Sequence, residues 1–107
     1  MPQLAHMVLW RLNGRTAEIK EHQAQEIIAA FEGIKEQIPG LLHLDIGRNV
    51  NRDSEWDVAL YTVFESAEHL KAYETNPAHI AIKKLVGPMR DARSHVDFEL
   101  PAANNYN

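Results

Sequence analysis

Leu4-Ala5-His6-Met7-Val8-Leu9-Trp10-Arg11-Leu12 is a short run, apolar at both alternating parities, followed by the turn signal Asn13-Gly14. Period two places His6, Val8, Trp10 and Leu12 on one face of a strand and Ala5, Met7, Leu9 and Arg11 on the other. A strand apolar on both sides needs cover on both sides. The rest of the chain, or another chain, must supply it.

The first cover comes directly after the turn. From Thr16, a side chain suited to N-capping, a helical pattern runs to about Ile38, with Ala24, Ile27, Phe31, Ile34 and Ile38 at steps of three and four, and Pro39-Gly40 ends it. Its first half is polar apart from Ala17 and Ile19, so it projects beyond the core or rests against a neighbour. Leu41-Leu42-His43-Leu44-Asp45-Ile46-Gly47 and Trp56-Asp57-Val58-Ala59-Leu60-Tyr61-Thr62-Val63-Phe64 alternate and are rich in strand formers, which predicts a hairpin. Its connection, residues 48–55, is polar and long for a tight turn, hence exposed and mobile. Asn49, Asn51, Asp53 and Glu55 lie at spacing two there, but the central glycine and the terminal glutamate of a calcium loop are missing.

Ser66 caps a brief helix carrying Ala67, Leu70 and Tyr73. A second helix starts at Asn76-Pro77, carries Ile80, Ile82, Leu85 and Val86, and stops at Gly87-Pro88. A last alternating run, His95-Val96-Asp97-Phe98-Glu99-Leu100, predicts a fourth strand. Residues 1–101 then form one domain, and residues 102–107 a frayed C-terminal tail. The order β-α-β-β-α-α-β is the ferredoxin-like split βαβ arrangement, an α+β fold with a four-stranded antiparallel sheet and its helices on one face. The other face also holds bulky apolar residues, so a second copy of the chain is the economical cover, giving a homodimeric α+β barrel. Leu60→Asp or Val8→Asp is expected to unfold and dissociate such a dimer together, which assigns both residues to the face away from the helices.

Composition bounds the function. The chain has 107 residues, 45% hydrophobic and 24% charged, which suits one folded domain. Net charge is −4 with no basic run, so no nucleic-acid partner is expected, because such binding needs clustered Lys and Arg to replace phosphate counterions. Cysteine is absent, which removes thiol nucleophiles and thiolate metal sites. No run approaches the ~20 apolar residues of a membrane span and no export signal is visible, so no membrane partner is expected and cytoplasm is the default location.

Chemistry concentrates in Leu70-Lys71-Ala72-Tyr73-Glu74-Thr75-Asn76-Pro77-Ala78-His79. Here one helix stops and the next begins with a histidine in its first turn, so Tyr73 and His79 flank a rigid corner. If both point into a cavity they form an acid/base pair; if not, the stretch is a capped junction with a surface histidine. His6, His95 and Asp97 form a weaker set, because the first and last strands of this topology are neighbours. Two histidines and a carboxylate suit a divalent ion, but no further ligand is evident and no metal or organic cofactor is expected. His22, His43 and His69 are read as solvated or structural, and Trp10, Trp56 and Phe31 as packing residues.

From Leu4 to Leu100 the sequence resembles the stress-responsive A/B barrel (Dabb) domain family. The landmarks are His6, Ile38-Pro39-Gly40, Gly47, Phe64-Glu65-Ser66, Ala72-Tyr73 and Pro77-x-His79. Asn76 stands where the family commonly has a histidine before the proline. The resemblance implies a dimeric α+β barrel with a cavity in each half, contacted by His6, Val8 and Leu60. One plant branch, of the olivetolic acid cyclase type, is similar in having a Tyr and a His where Tyr73 and His79 stand, and it cyclises a polyketide without metal or organic cofactor. On that likeness His79 is the catalytic base and Tyr73 the proton donor of a cofactor-free cyclase or lyase acting on a small, largely apolar ligand. Removing His79 is then expected to leave folding largely intact, since the helix has its own core contacts. The alternatives are a dimeric stress or interaction module without chemistry and, third, a cofactor-independent monooxygenase of the related dimeric barrels. A closed cavity reaching both Tyr73 and His79 favours the first, and a filled interior the second.

Overall fold

A computed structural model describes residues 2–107. The order is β1 (Leu4–Leu12), α1 (Ala17–Ile34), β2 (Leu41–Arg48), β3 (Val58–Phe64), α2 (Ala67–Glu74), α3 (Pro77–Val86) and β4 (Arg90–Glu99). The strands form one antiparallel-paired sheet in the order β2-β3-β1-β4. This is the ferredoxin-like α+β fold that the pattern predicts.

The periodic residues of α1 are the ones buried: Ala24, Ile27, Phe31 and Ile34, with Ile38 just beyond. The helix gives way to a 3₁₀ turn over Lys35–Gln37, because the chain tightens toward Pro39-Gly40. Gly40 has φ +77°, and a Cβ there would lie 2.2 Å from the His69 ring, so glycine is required on two counts. The caps also fall where the sequence puts them. Oγ1 of Thr16 accepts from the Ile19 N–H at 3.1 Å, Oγ of Ser66 from the His69 N–H at 3.3 Å, and Oδ1 of Asn76 from the Ala78 N–H at 2.9 Å.

Two features differ from expectation at the sheet. Val8 and Leu60 are cross-strand partners on the face that packs against the helices, 2% and 1% exposed, so they are core residues and not positions on the open face. Both faces of β1 are apolar, so alternation separates the two sets without saying which meets α1. The open face instead carries Met7, Leu9, Tyr61, Val96 and Phe98, of which Val96 and Phe98 are the exposed large ones. The second difference is that β4 begins at Arg90, five residues before its apolar alternation starts, because Arg93 and Ala92 pair with Trp10 and Arg11 of β1.

The tail is also anchored. Residues Ala102–Asn104 form a 3₁₀ turn, the Gln3 side chain and the Tyr106 backbone exchange two hydrogen bonds, and the Tyr106 ring stacks on His43 at 4.7 Å. The connection 48–55 is mostly exposed, with Asn49 and Asn51 closing it through their own side chains. Among the described residues, no helix is long and apolar enough to cross a membrane.

Candidate functional site

Between the sheet and the helices lies a cavity of about 410 Å³. Its floor is apolar, made by Val8, Trp10 and Leu60 of the sheet and Phe31, Ile82 and Val86 of the helices. Trp10 and Phe31 pack together with centroids 5.5 Å apart. His6, Tyr73 and His79 line the same space. His95 and Asp97 reach it as well, since they pair with Val8 and His6 across β1 and β4 and share their face.

The α2–α3 corner fixes the Tyr73–His79 geometry. The Thr75 N–H donates to the Ala72 carbonyl and the Asn76 N–H to the Tyr73 carbonyl, and Asn76 then caps α3. The imidazole of His79 stacks on the phenol ring of Tyr73 at 3.9 Å between centroids and 16° between planes. Nδ1 of His79 lies 3.1 Å from the Tyr73 carbonyl oxygen. A carbonyl only accepts, so Nδ1 carries the hydrogen, and in the neutral ring the lone pair is on Nε2. Burial, followed by the Lys83 charge, lowers the His79 pKa from 6.5 to about 4. The ring is therefore neutral at physiological pH.

Tyr73 is 3% exposed, and its hydroxyl has no hydrogen-bond partner among the described residues. A buried hydroxyl left unpaired is costly. Burial pushes the phenol well above its ordinary value, opposed by the Arg93 charge, so Tyr73 keeps its proton. His6 is 8% exposed and held by Asp97, with Nδ1 to Oδ1 at 2.5 Å. The carboxylate accepts a hydrogen bond from Nδ1–H, and Nε2 of His6 has no protein partner among the described residues.

Asp97 is thus engaged with His6, and no group of three His, Cys, Asp or Glu among the described residues is arranged to hold a metal ion. His22 is exposed; His43 stacks on Tyr106, and the His69 ring is hydrogen-bonded to the Ser66 hydroxyl at the start of α2. Sequence reasoning missed the cations of the cavity: Lys83, Arg90 and Arg93 line it, with Glu74. For Arg93 the signal was present, because alternation carried two residues back from His95 puts it on the face of His95 and Asp97.

None of the curated proteins matches the chain. A dimeric protein of unknown function with a ferredoxin-like fold from Bacteroides fragilis is 28% identical, covering 92% of this chain and 96% of that one at a TM-score of 0.85. A dimeric ferredoxin-like protein of unknown function from Thermobifida fusca is 24% identical, with 92% of each chain covered and a TM-score of 0.81. The hydroxynitrile lyase of Passiflora edulis shares the fold at 15% identity, 94% and 95% coverage and a TM-score of 0.79. Residues 4–100 match the stress responsive A/B barrel domain, and the chain belongs to that family.

Proposed function

We propose that the protein is a homodimer whose cavity binds a small, largely apolar ligand and performs cofactor-free proton transfer on it, with His79 as base and Tyr73 as acid. One observation carries the reading: the His79 tautomer is set by the Tyr73 carbonyl, while the Tyr73 hydroxyl is buried beside the cavity without a partner among the described residues. Nε2 of His79 takes a proton from the carbon alpha to a carbonyl, and the Tyr73 O–H donates to the oxygen on which the enolate charge collects. Return of the proton to the same or another atom then gives isomerisation, cyclisation or cleavage according to the ligand. His6, held by Asp97, orients the ligand opposite this pair. An apolar floor of Val8, Leu60 and Phe31 excludes water from the enolate.

The dimer part of the reading rests on the open face, with Val96 and Phe98 exposed, and on the dimeric state named for the Bacteroides fragilis and Thermobifida fusca proteins. Two such faces packed together bury well above the ~1,000 Å² expected of a specific interface. A non-catalytic interaction module would have no use for an open cavity beside an unsatisfied phenol, which is why the catalytic reading is preferred.

The experiment is α-deuteration in D₂O of a phenylacetyl thioester of N-acetylcysteamine, followed by proton NMR. Wild-type protein is expected to accelerate loss of the α-proton signal, and His79→Gln to reduce that rate by about 10²-fold or more. Equal rates for the two proteins at equal folded concentration would overturn the assignment of His79.

A further inference from the structure

The charge around the cavity is opposite in sign to that of the chain. Net charge is −4, yet the cavity is lined by Lys83, Arg90 and Arg93 against the two carboxylates Glu74 and Asp97. Asp97 is already bound to the His6 ring. Neither Arg90 nor Arg93 forms an ion pair or a side-chain hydrogen bond among the described residues, whereas Arg11 pairs with Glu55 and Asp91 and Arg48 with Glu21. The Lys83 ammonium reaches only the backbone carbonyl of Glu74, at 3.5 Å. Arg90 and Arg93 are exposed side chains that face this one space, and the Arg93 guanidinium is lowered from its ordinary value by burial and then by the Arg90 charge, with Asp97 and Glu74 acting the other way. Its charge is felt by both Tyr73 and His79, which places it within electrostatic range of the proposed chemistry.

We infer that the ligand is an organic acid: an apolar body on the floor of Val8, Leu60 and Phe31, with a carboxylate held at the mouth of the cavity by Arg93 and Arg90. The inference rests on the reading that this cavity is the ligand site, and it names the class of ligand. A planar guanidinium matches a carboxylate through two parallel N–H···O bonds, which a lysine cannot reproduce. Two arginines and a lysine around one cavity leave an excess of positive charge over Glu74 and Asp97, which such a guest offsets. The guest also serves the base. An anion beside His79 offsets the Lys83 and Arg93 charges, which add to burial in weakening the imidazole as a base.

Matched pairs test this. Benzoate, phenylacetate, 3-phenylpropanoate and octanoate are titrated calorimetrically against their primary amides, which keep the body and lose the charge. At least one acid is expected to bind about tenfold or more tightly than its amide, as expected for hydrogen bonds to charged groups, and to weaken as ionic strength rises. Arg93→Gln is expected to bring the acid down to the level of its amide while leaving amide binding unchanged; Arg93→Lys should lie between them. Arg90→Gln serves as the second variant should Arg93→Gln melt below wild type. No acid binding more tightly than its amide, or an acid preference intact in both glutamine variants, overturns the inference. No acid preference in the wild-type protein, with its α-deuteration of the neutral thioester intact, would sink the acid reading and leave His79 as base, so the two failures are distinguishable.

Discussion

The imidazole of His79 lies flat on the phenol of Tyr73 and is tied to the backbone carbonyl of the same residue. The ring that would act as base is therefore oriented by the residue that would act as acid, and both depend on the turn between α2 and α3. His79 thus has a structural share that its position in the first turn of α3 does not reveal. Ile82 and Val86 are the buried anchors of that helix, while Ile80 is 38% exposed.

Replacing His79 by Ala removes the stacking and one hydrogen bond. The Tyr73 carbonyl still accepts from the Asn76 N–H, so no buried acceptor is orphaned. The expected cost is about 1 kcal/mol, read by chemical denaturation, while turnover falls by about 10²–10⁴-fold. A loss of turnover no larger than the loss of folded protein would make His79 structural only.

Acid should unfold the protein partly through His79. Its folded pKa of about 4 lies below the ordinary 6.5, so between those values the unfolded chain binds a proton that the folded chain does not. Stability therefore rises with pH through this window and falls on acidification. His79→Gln deletes that contribution, and the melting-temperature gap between wild type and variant should change as pH drops from 6.5 to 4. Parallel curves would contradict the burial of the neutral ring. Titration of the His79 Cε1 proton by NMR gives the midpoint directly.

Val8 and Leu60 separate core from interface. Val8→Asp or Leu60→Asp puts a carboxylate among Trp10, Phe31 and Ile82 and should unfold the protomer, since an unpaired buried charge costs several kcal/mol. Phe98→Asp or Val96→Asp, on the open face, should leave the circular dichroism spectrum intact and shift sedimentation from dimer to monomer. Phe98→Asp sedimenting as wild type would remove that face from the interface.

Gly40→Ala should destabilise by about 1–2 kcal/mol from backbone handedness alone, and further because the new Cβ meets the His69 ring. Adding His69→Ala should recover only the steric part. Urea denaturation of the single and double variants checks both.

Much of this was legible in the sequence. The buried residues of α1 follow its 3.6-residue period, the β2–β3 hairpin follows period two, and Asn76-Pro77 announces the start of α3. The first half of β4 was not legible, because Arg90-Asp91-Ala92-Arg93-Ser94 has no apolar alternation and becomes strand only by pairing with the β1 backbone. Arg90 went unread for that reason, and Arg93 because the parity of His95 was not carried back beyond the apolar run. Nor does alternation say which apolar face of β1 meets the helices, which put Val8 and Leu60 on the wrong side. Tyr73 and His79 were visible as a pair, but their stacking depends on the angle between two helices, which no local pattern encodes. The hold of Tyr106 on Gln3 and His43 is likewise a long-range contact of a segment with no periodicity.

Tyr73→Phe tests the central claim most directly, because function and stability should move in opposite directions. The change keeps the ring that packs on Phe64 and His79 and removes only a buried hydroxyl that has no partner among the described residues. If that hydroxyl is kept for the ligand, the variant should melt at or above the wild-type temperature, by up to about 1 kcal/mol of added stability. It should also lose α-deuteration, and less than additively with His79→Gln. A variant that melts lower than wild type, or that exchanges at the wild-type rate, would contradict the account.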